Sequence, residues 1–307
     1  MFVKNECLID EAKKSKKLPN IVWAIILTLI FMNIGSLIGA IGVTPLYLIL
    51  NRFNIFQSNQ DLLFLLITLV SFIFISLLVF IRVKFIEKRQ FSSIGFNKNN
   101  WIKKYSLGFI IGILMMCAVV LILFIFGFVS LENNPTQPIG ISALSGVLII
   151  LIGWIIQGAT EEIVTRGWLM NILGARYNIG IGLFISSTLF GLLHLTNPNV
   201  SFIAVINIVL VGIFYGLYVI RTNDLWTVCG MHSAWNFAQG NLFGFEVSGI
   251  NVEVSSLIDL NLVGNRFISG GIFGPEASLS ATVVLLLSIG ILTYLDKKEY
   301  FNSHSIY

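Results

Sequence analysis

Two adjacent carboxylates, Glu161 and Glu162, follow directly on the apolar run GVLIILIGWII, within the stretch GATEEIVTRGW. Two imidazoles and an amide come later in similar surroundings. His194 closes STLFGLLHLTN, and His232 and Asn236 lie in DLWTVCGMHSAWNFAQGN. Ionisable groups are rare inside membrane segments, usually face the bundle interior, and by default mark a functional site. Here they crowd between residues 161 and 236, while the first three apolar segments carry none in their interiors.

Spacing assigns these groups local partners. Glu162 and Arg166 stand i,i+4, so a charge pair along one helix is expected. Phe190 and His194, and likewise His232 and Asn236, share a helical face by the same spacing. Glu161 has no partner within its own turn. A carboxyl group in low dielectric holds its proton more tightly unless neighbours hold its charge. With His194 opposite, Glu161 can orient and deprotonate a water, which is general-base work. His232 and the Asn236 amide are suitable donors for the oxyanion formed when that water attacks a carbonyl. Glu161, His194 and His232 form an alternative zinc set with one position left for water. The usual HExxH helix is absent, so such a set has to assemble across helices. His194 read alone is equally a packing residue, and His232 and Asn236 read alone are interhelical glue. Ser233 points away from His232, so no serine nucleophile stands beside a base, and no phosphate-cradling glycine loop is present.

The elements that position these residues follow from composition. The 307 residues are 56% hydrophobic and 11% charged, with mean hydropathy +0.89. Globular chains run about 45–50% apolar and ~25% charged, so this chain falls in the membrane class. Apolar stretches near the ~20 residues a span requires cover 21–50, 62–83, 105–129, 142–158, 179–195, 200–220, 225–241 and 279–295. They predict an all-α integral membrane protein of about eight transmembrane helices with its active site in the bundle interior. With the N-terminus inside, sixteen Lys and Arg fall on inner segments and only Arg52 and Arg266 on outer ones. That is the positive-inside pattern; it places both termini in the cytoplasm and the chain in the cell membrane. The basic balance is topological, with the lipid bilayer as partner and no nucleic acid. Cys7, Cys117 and Cys229 form neither a disulfide framework nor a metal pair.

The expected organisation is a basic N-terminus (1–20), three helices (21–129), a four-helix catalytic core (142–241), an outer loop (242–278) and a last helix with a short tail (279–307). The GFIIG and GIFYG stretches, with Gly108, Gly112, Gly212 and Gly216, fit close helix packing. Counting 1.5 Å per residue from inner boundaries puts Glu161, His194, His232 and Asn236 at ~14–24 Å depth, close enough to converge. A helix from 142 to 176 is then ~52 Å long, against a ~30 Å core. It has to tilt, break near Gly167, or finish along the interface.

EEIVTR fits an EExxxR motif, FGLLH an FxxxH motif and HSAWN an HxxxN motif. In this order and in successive apolar segments, they resemble the CPBP family of intramembrane proteases. That family spans CAAX-prenyl endopeptidases and bacterial bacteriocin-processing and abortive-infection (Abi) proteins. The resemblance implies that Glu161 activates water with His194, that His232 and Asn236 stabilise the oxyanion, and that Glu162 and Arg166 support them, with Phe190 as the aromatic position of the second motif. It implies an endopeptidase, glutamate-dependent or a zinc metalloprotease, acting on a membrane-associated protein or peptide. Two rivals are a non-proteolytic immunity or scaffold protein of the same fold and a secondary transporter with a midplane acidic site.

Overall fold

Asn20 opens the first long helix: its side-chain oxygen accepts from the Trp23 N–H at 2.9 Å, satisfying a first-turn donor. A computed structural model describes residues 8–53, 59–252 and 254–304, with side chains up to residue 295. Lys4, Cys7 and Glu253, and the side chains of Lys297 and Lys298, lie outside the described residues. The helices are α1 (Ile21–Arg52), α2 (Gln60–Ile86), α3 (Trp101–Ile125), α4 (Gly140–Arg176), α5 (Ile179–Thr196), α6 (Phe202–Thr222), α7 (Trp226–Phe237) and α8 (Leu279–His304).

Among the described residues six helices, α1 to α6, are long and apolar enough to cross a membrane. The chain is an all-α multi-pass membrane protein. The count by length and composition is therefore six, where the sequence predicts about eight. The described apolar part of α8 runs Leu279–Leu295, and α7, even with its π-helical continuation Ala238–Leu242, is shorter than the six. The reason for α7 lies in its surroundings. Every residue from Thr227 to Asn241 is buried, so protein rather than lipid surrounds this helix, and its polar residues need no apolar shield of their own. α1 is the opposite case, with Trp23, Leu37 and Ile41 more than half exposed on a lipid-compatible face.

Successive helices run up and down, so their ends fall in two groups. One end carries Arg82, Arg176 and Arg221 at helix C-termini and Lys104 at the start of α3. There Lys104 Nζ meets Asp224 at 3.0 Å, and Asp224 caps α7 by accepting from the Thr227 N–H at 3.0 Å. Glu87 is fully buried at the same end. It accepts from Arg89 Nη2 at 2.8 Å, from Arg82 Nε at 3.3 Å and from the Trp168 indole at 2.8 Å, tying the end of α2 to α4.

The opposite end is covered by segment 243–278. It pairs β2 (Leu260–Leu262) with β1 (Val129–Leu131), antiparallel, in register Val129↔Leu262. Asn59 donates to the Val254 carbonyl at 3.0 Å and Ser256 N–H to the Pro138 carbonyl at 3.2 Å. The segment folds back onto the bundle, with Val247, Val252 and Val254 in one apolar cluster with Leu69 of α2 and Trp154 of α4.

Backbone contact seats α7. A Cβ at Gly108 would lie 1.9 Å from the Thr227 carbonyl oxygen, one at Gly112 2.3 Å from that of Met231, and one at Gly230 2.2 Å from that of Tyr105. Only hydrogen fits at these crossings of α3 and α7. Gly158 plays the same part between α4 and α7, where a Cβ would meet the Ser233 nitrogen at 2.7 Å.

α4 does not break at Gly167. It continues to Arg176 through a π-helical segment, Ile163–Leu169, and residues 160–174 are all buried. A 37-residue helix is accommodated because its second half is covered by protein on every side. Gly108→Ala is expected to lower the thermal midpoint in detergent by forcing α7 off α3, about 1–3 kcal/mol of overpacking. Gly290→Ala, which meets nothing within 4 Å, is expected to leave it unchanged or raise it.

Candidate active site

The π segment begins immediately after the paired carboxylates. In a π turn the hydrogen bonds run to the fifth residue, which leaves a carbonyl at the junction to find another donor. Thr165 Oγ1 supplies it, donating to the Glu161 carbonyl at 2.6 Å. At the other end the Asn171 amide donates to the Gly167 carbonyl at 2.8 Å. The widened turn keeps Arg166 over Glu162.

Arg166 is fully buried and donates from Nη1 to Glu162 Oε1 at 2.9 Å and to Thr165 Oγ1 at 2.8 Å. Its guanidinium lies over the Phe190 ring at 4.4 Å and faces Tyr215 at 5.8 Å, a cation–π arrangement available to a planar guanidinium. Gly212 of α6 makes room for it, since a Cβ there would sit 2.9 Å from Arg166 Nη2. Arg166 Nε and Nη2, Glu162 Oε2 and Ser187 Oγ are buried without a hydrogen-bond partner among the described residues, so this network is polar beyond the bonds it makes.

His232 bridges both carboxylates. Its Nδ1 lies 2.8 Å from Glu162 Oε1, and its Nε2 lies 3.5 Å from Glu161 Oε2. The ring is flanked by Phe190 at 6.0 Å and Tyr215 at 5.9 Å between centroids. Four residues on, Asn236 Nδ2 donates to Gln157 Oε1 at 2.9 Å. Gln157 stands one turn before Glu161, so α4 orients the α7 amide and leaves the second amide hydrogen of Asn236 for another acceptor.

His194 ends α5 on the far wall. Its Nδ1 lies 2.8 Å from the Phe190 carbonyl oxygen. A carbonyl only accepts, so the hydrogen sits on Nδ1 and Nε2 of the neutral ring carries the lone pair. Phe190 stacks edge-on against the same ring at 4.9 Å, so this residue braces both histidines and the arginine. The expectation paired Glu161 with His194. The described residues show no hydrogen bond or ion pair between those two; the ionisable group that Glu161 meets is His232.

Glu161, His194, His232 and Asn236 line one cavity of about 270 Å³, together with Gln157 and Glu276. Its other walls are mostly apolar, including Leu69, Trp154 and Val247. Several polar residues of this lining are outside the sequence expectation, Gln157 and Glu276 with Asn197 and Ser248 among them. Gln157 was signalled by its position four residues before Glu161 in an otherwise apolar run. Glu276 gave a fainter signal, a single acid after Gly274 and Pro275 just ahead of an apolar helix.

The zinc alternative fits less well. Among the described residues no three His, Cys, Asp or Glu are grouped as a ligand set, and the two nitrogens of His232 face the two glutamates.

Residues 142–238 match the family model described as Type II CAAX prenyl endopeptidase Rce1-like. No curated protein and no solved structure matches the chain. The matched stretch contains all three motifs and bears out the resemblance they carry. It supports a membrane-embedded protease.

Removing Glu162 strands a fully buried guanidinium. Glu162→Ala is expected to lose about 3–5 kcal/mol of stability, read as a fall in thermal midpoint and yield in detergent. Glu161→Gln, at a side chain with no polar partner closer than 3.5 Å among the described residues, is expected to match wild type in the same assay.

Proposed function

We propose that the protein is an intramembrane endopeptidase that hydrolyses a peptide bond of a membrane-associated protein or peptide, with Glu161 as the base. The observation that carries this reading is the cavity itself. It brings a carboxylate, two imidazoles and an amide donor from three helices onto one wall system among apolar side chains.

In this scheme the Glu161 carboxylate takes a proton from a water oriented by His194 Nε2, and the hydroxide adds to the substrate carbonyl carbon. The C=O π electrons move to oxygen. That oxyanion is met by Asn236 Nδ2–H and by His232 Nε2–H, donors fixed in advance of the reaction. His232 acts with a hydrogen on both nitrogens, Nδ1–H to Glu162 and Nε2–H to the cavity. Glu161, Glu162, Arg166 and His232 then carry two negative and two positive charges, a balanced set for a buried site. Collapse of the tetrahedral intermediate breaks the C–N bond. The amine leaves with the proton held by Glu161, which regenerates the carboxylate.

The proposed core is 142–241, with 242–278 as a cover on the outer side. The basic helix ends and both termini lie in the cytoplasm, in keeping with the positive-inside pattern. The apolar walls suit a substrate that itself resides in the membrane, whether a lipidated C-terminal segment or a leader peptide.

In vesicles holding the purified protein and a cleaved reporter peptide, Glu161→Gln is expected to reduce kcat by about 10²–10⁴-fold, the usual weight of a general base. Asn236→Ala is expected to reduce kcat by about 10²–10³-fold with little change in KM, as for a donor that acts mainly in the transition state. Wild-type kcat in either variant contradicts the assignment.

A further inference from the structure

The cavity holds a second carboxylate that the hydrolytic scheme leaves idle. Glu276 comes from the turn GGIFGPE ahead of α8 and is buried to 9% exposure. Its main chain is clamped from α6: Asn207 Nδ2 donates to the carbonyls of Glu276 and Ser278 at 2.8 and 2.9 Å. Thr282 Oγ1 holds the same amide by donating to Asn207 Oδ1 at 2.6 Å. Gly274, at φ 109°, brings the turn so close that a Cβ would lie 2.4 Å from the Glu246 carbonyl oxygen.

The carboxylate is equally fixed on one side. Oε1 accepts from the Ser248 N–H at 2.5 Å, from Ser248 Oγ at 3.1 Å and from Gln239 Nε2 at 3.1 Å. Oε2 has no hydrogen-bond partner among the described residues, and no lysine or arginine among them pairs with Glu276. Burial pushes the carboxyl above its ordinary range, opposed by the hydrogen bonds from the Ser248 N–H and the Gln239 amide. Among the described residues His194 makes no hydrogen bond or ion pair with it, and its Nδ1–H is committed to Phe190.

A buried carboxylate with one oxygen satisfied and no ion-pair partner among the described residues is unfavourable by itself. A rigid mount and an opening into a substrate cavity make it a receptor for a cation that arrives with the substrate. Resting on the endopeptidase reading, we propose that Glu276 determines specificity by taking the side chain of a substrate Lys or Arg beside the scissile bond.

The test uses the full-length protein in phosphatidylcholine vesicles and a library of apolar peptides carrying one lysine or one norleucine at each position. Wild type is expected to cut within three residues of lysine about tenfold or more often than of norleucine, the scale of a desolvated charge pair. Glu276→Gln, which keeps the shape and loses the charge, is expected to bring that ratio near one. Acetylating the lysine must do the same with the unmutated protein, which needs no variant to fold. A wild-type ratio near one, or a ratio that survives either change, overturns the proposal. A binding arm with Glu161→Gln protein compares affinity for the lysine and norleucine sets, with and without Glu276→Gln. If wild type cuts neither set, the endopeptidase reading fails. Tighter lysine binding that depends on Glu276 then still supports the cation site, and equal binding overturns it.

Discussion

One carboxylate oxygen, Glu162 Oε1, joins two helices of the site. It accepts from Arg166 one turn along α4 and faces His232 Nδ1 on α7, at 2.9 and 2.8 Å. Both bonds are sealed from solvent, where an unpaired charge is strongly destabilising. The pairing therefore sets the rotation of α4 and α7 about their own axes. With those rotations set, Glu161 turns towards the cavity, His232 Nε2 follows it, and Asn236 lands beside Gln157.

Holding α7 at that distance is a matter of bare backbone. Gly108, Gly112 and Gly158 remove side chains at its crossings with α3 and α4, and the Asp224 cap fixes where the helix begins. α7 is enclosed over Thr227–Asn241, so it can carry polar residues that a lipid-facing helix of its length could not. The same enclosure shapes α4. Its 37 residues persist because the second half is interior, and the π segment supplies the local adjustment that a break at Gly167 would otherwise have to provide.

How much was legible in the sequence follows from range. The i,i+4 relations of Glu162 with Arg166, Phe190 with His194 and His232 with Asn236 are local, and helical spacing alone reveals them. That Phe190 braces three site residues, or that Glu162 serves His232 as well as Arg166, depends on contacts between helices that no spacing encodes. The π segment leaves no mark in IVTRGWL, since its residues suit an ordinary helix. Segment 242–278 reads as an outer loop from its acids and turn-forming glycines. What it does not reveal is which of its residues face inward: Ser248 and Glu276 line the cavity, and Gln239 and Asn207 hold Glu276 there.

The cavity lies between the motif helices and the folded-back segment, on the side of the bundle away from the basic helix ends. Substrate residues beyond the scissile bond would therefore meet Val247, Ser248 and Ile250 as well as the helices. The central claim, that this constellation cuts peptides, is tested most directly in cells. Peptide termini in membrane fractions are to be mapped by mass spectrometry, with wild-type protein and with Glu161→Gln at matched levels. The account predicts a set of internal cleavage ends present with wild type and absent with the variant. Identical sets of ends in the two samples would contradict it.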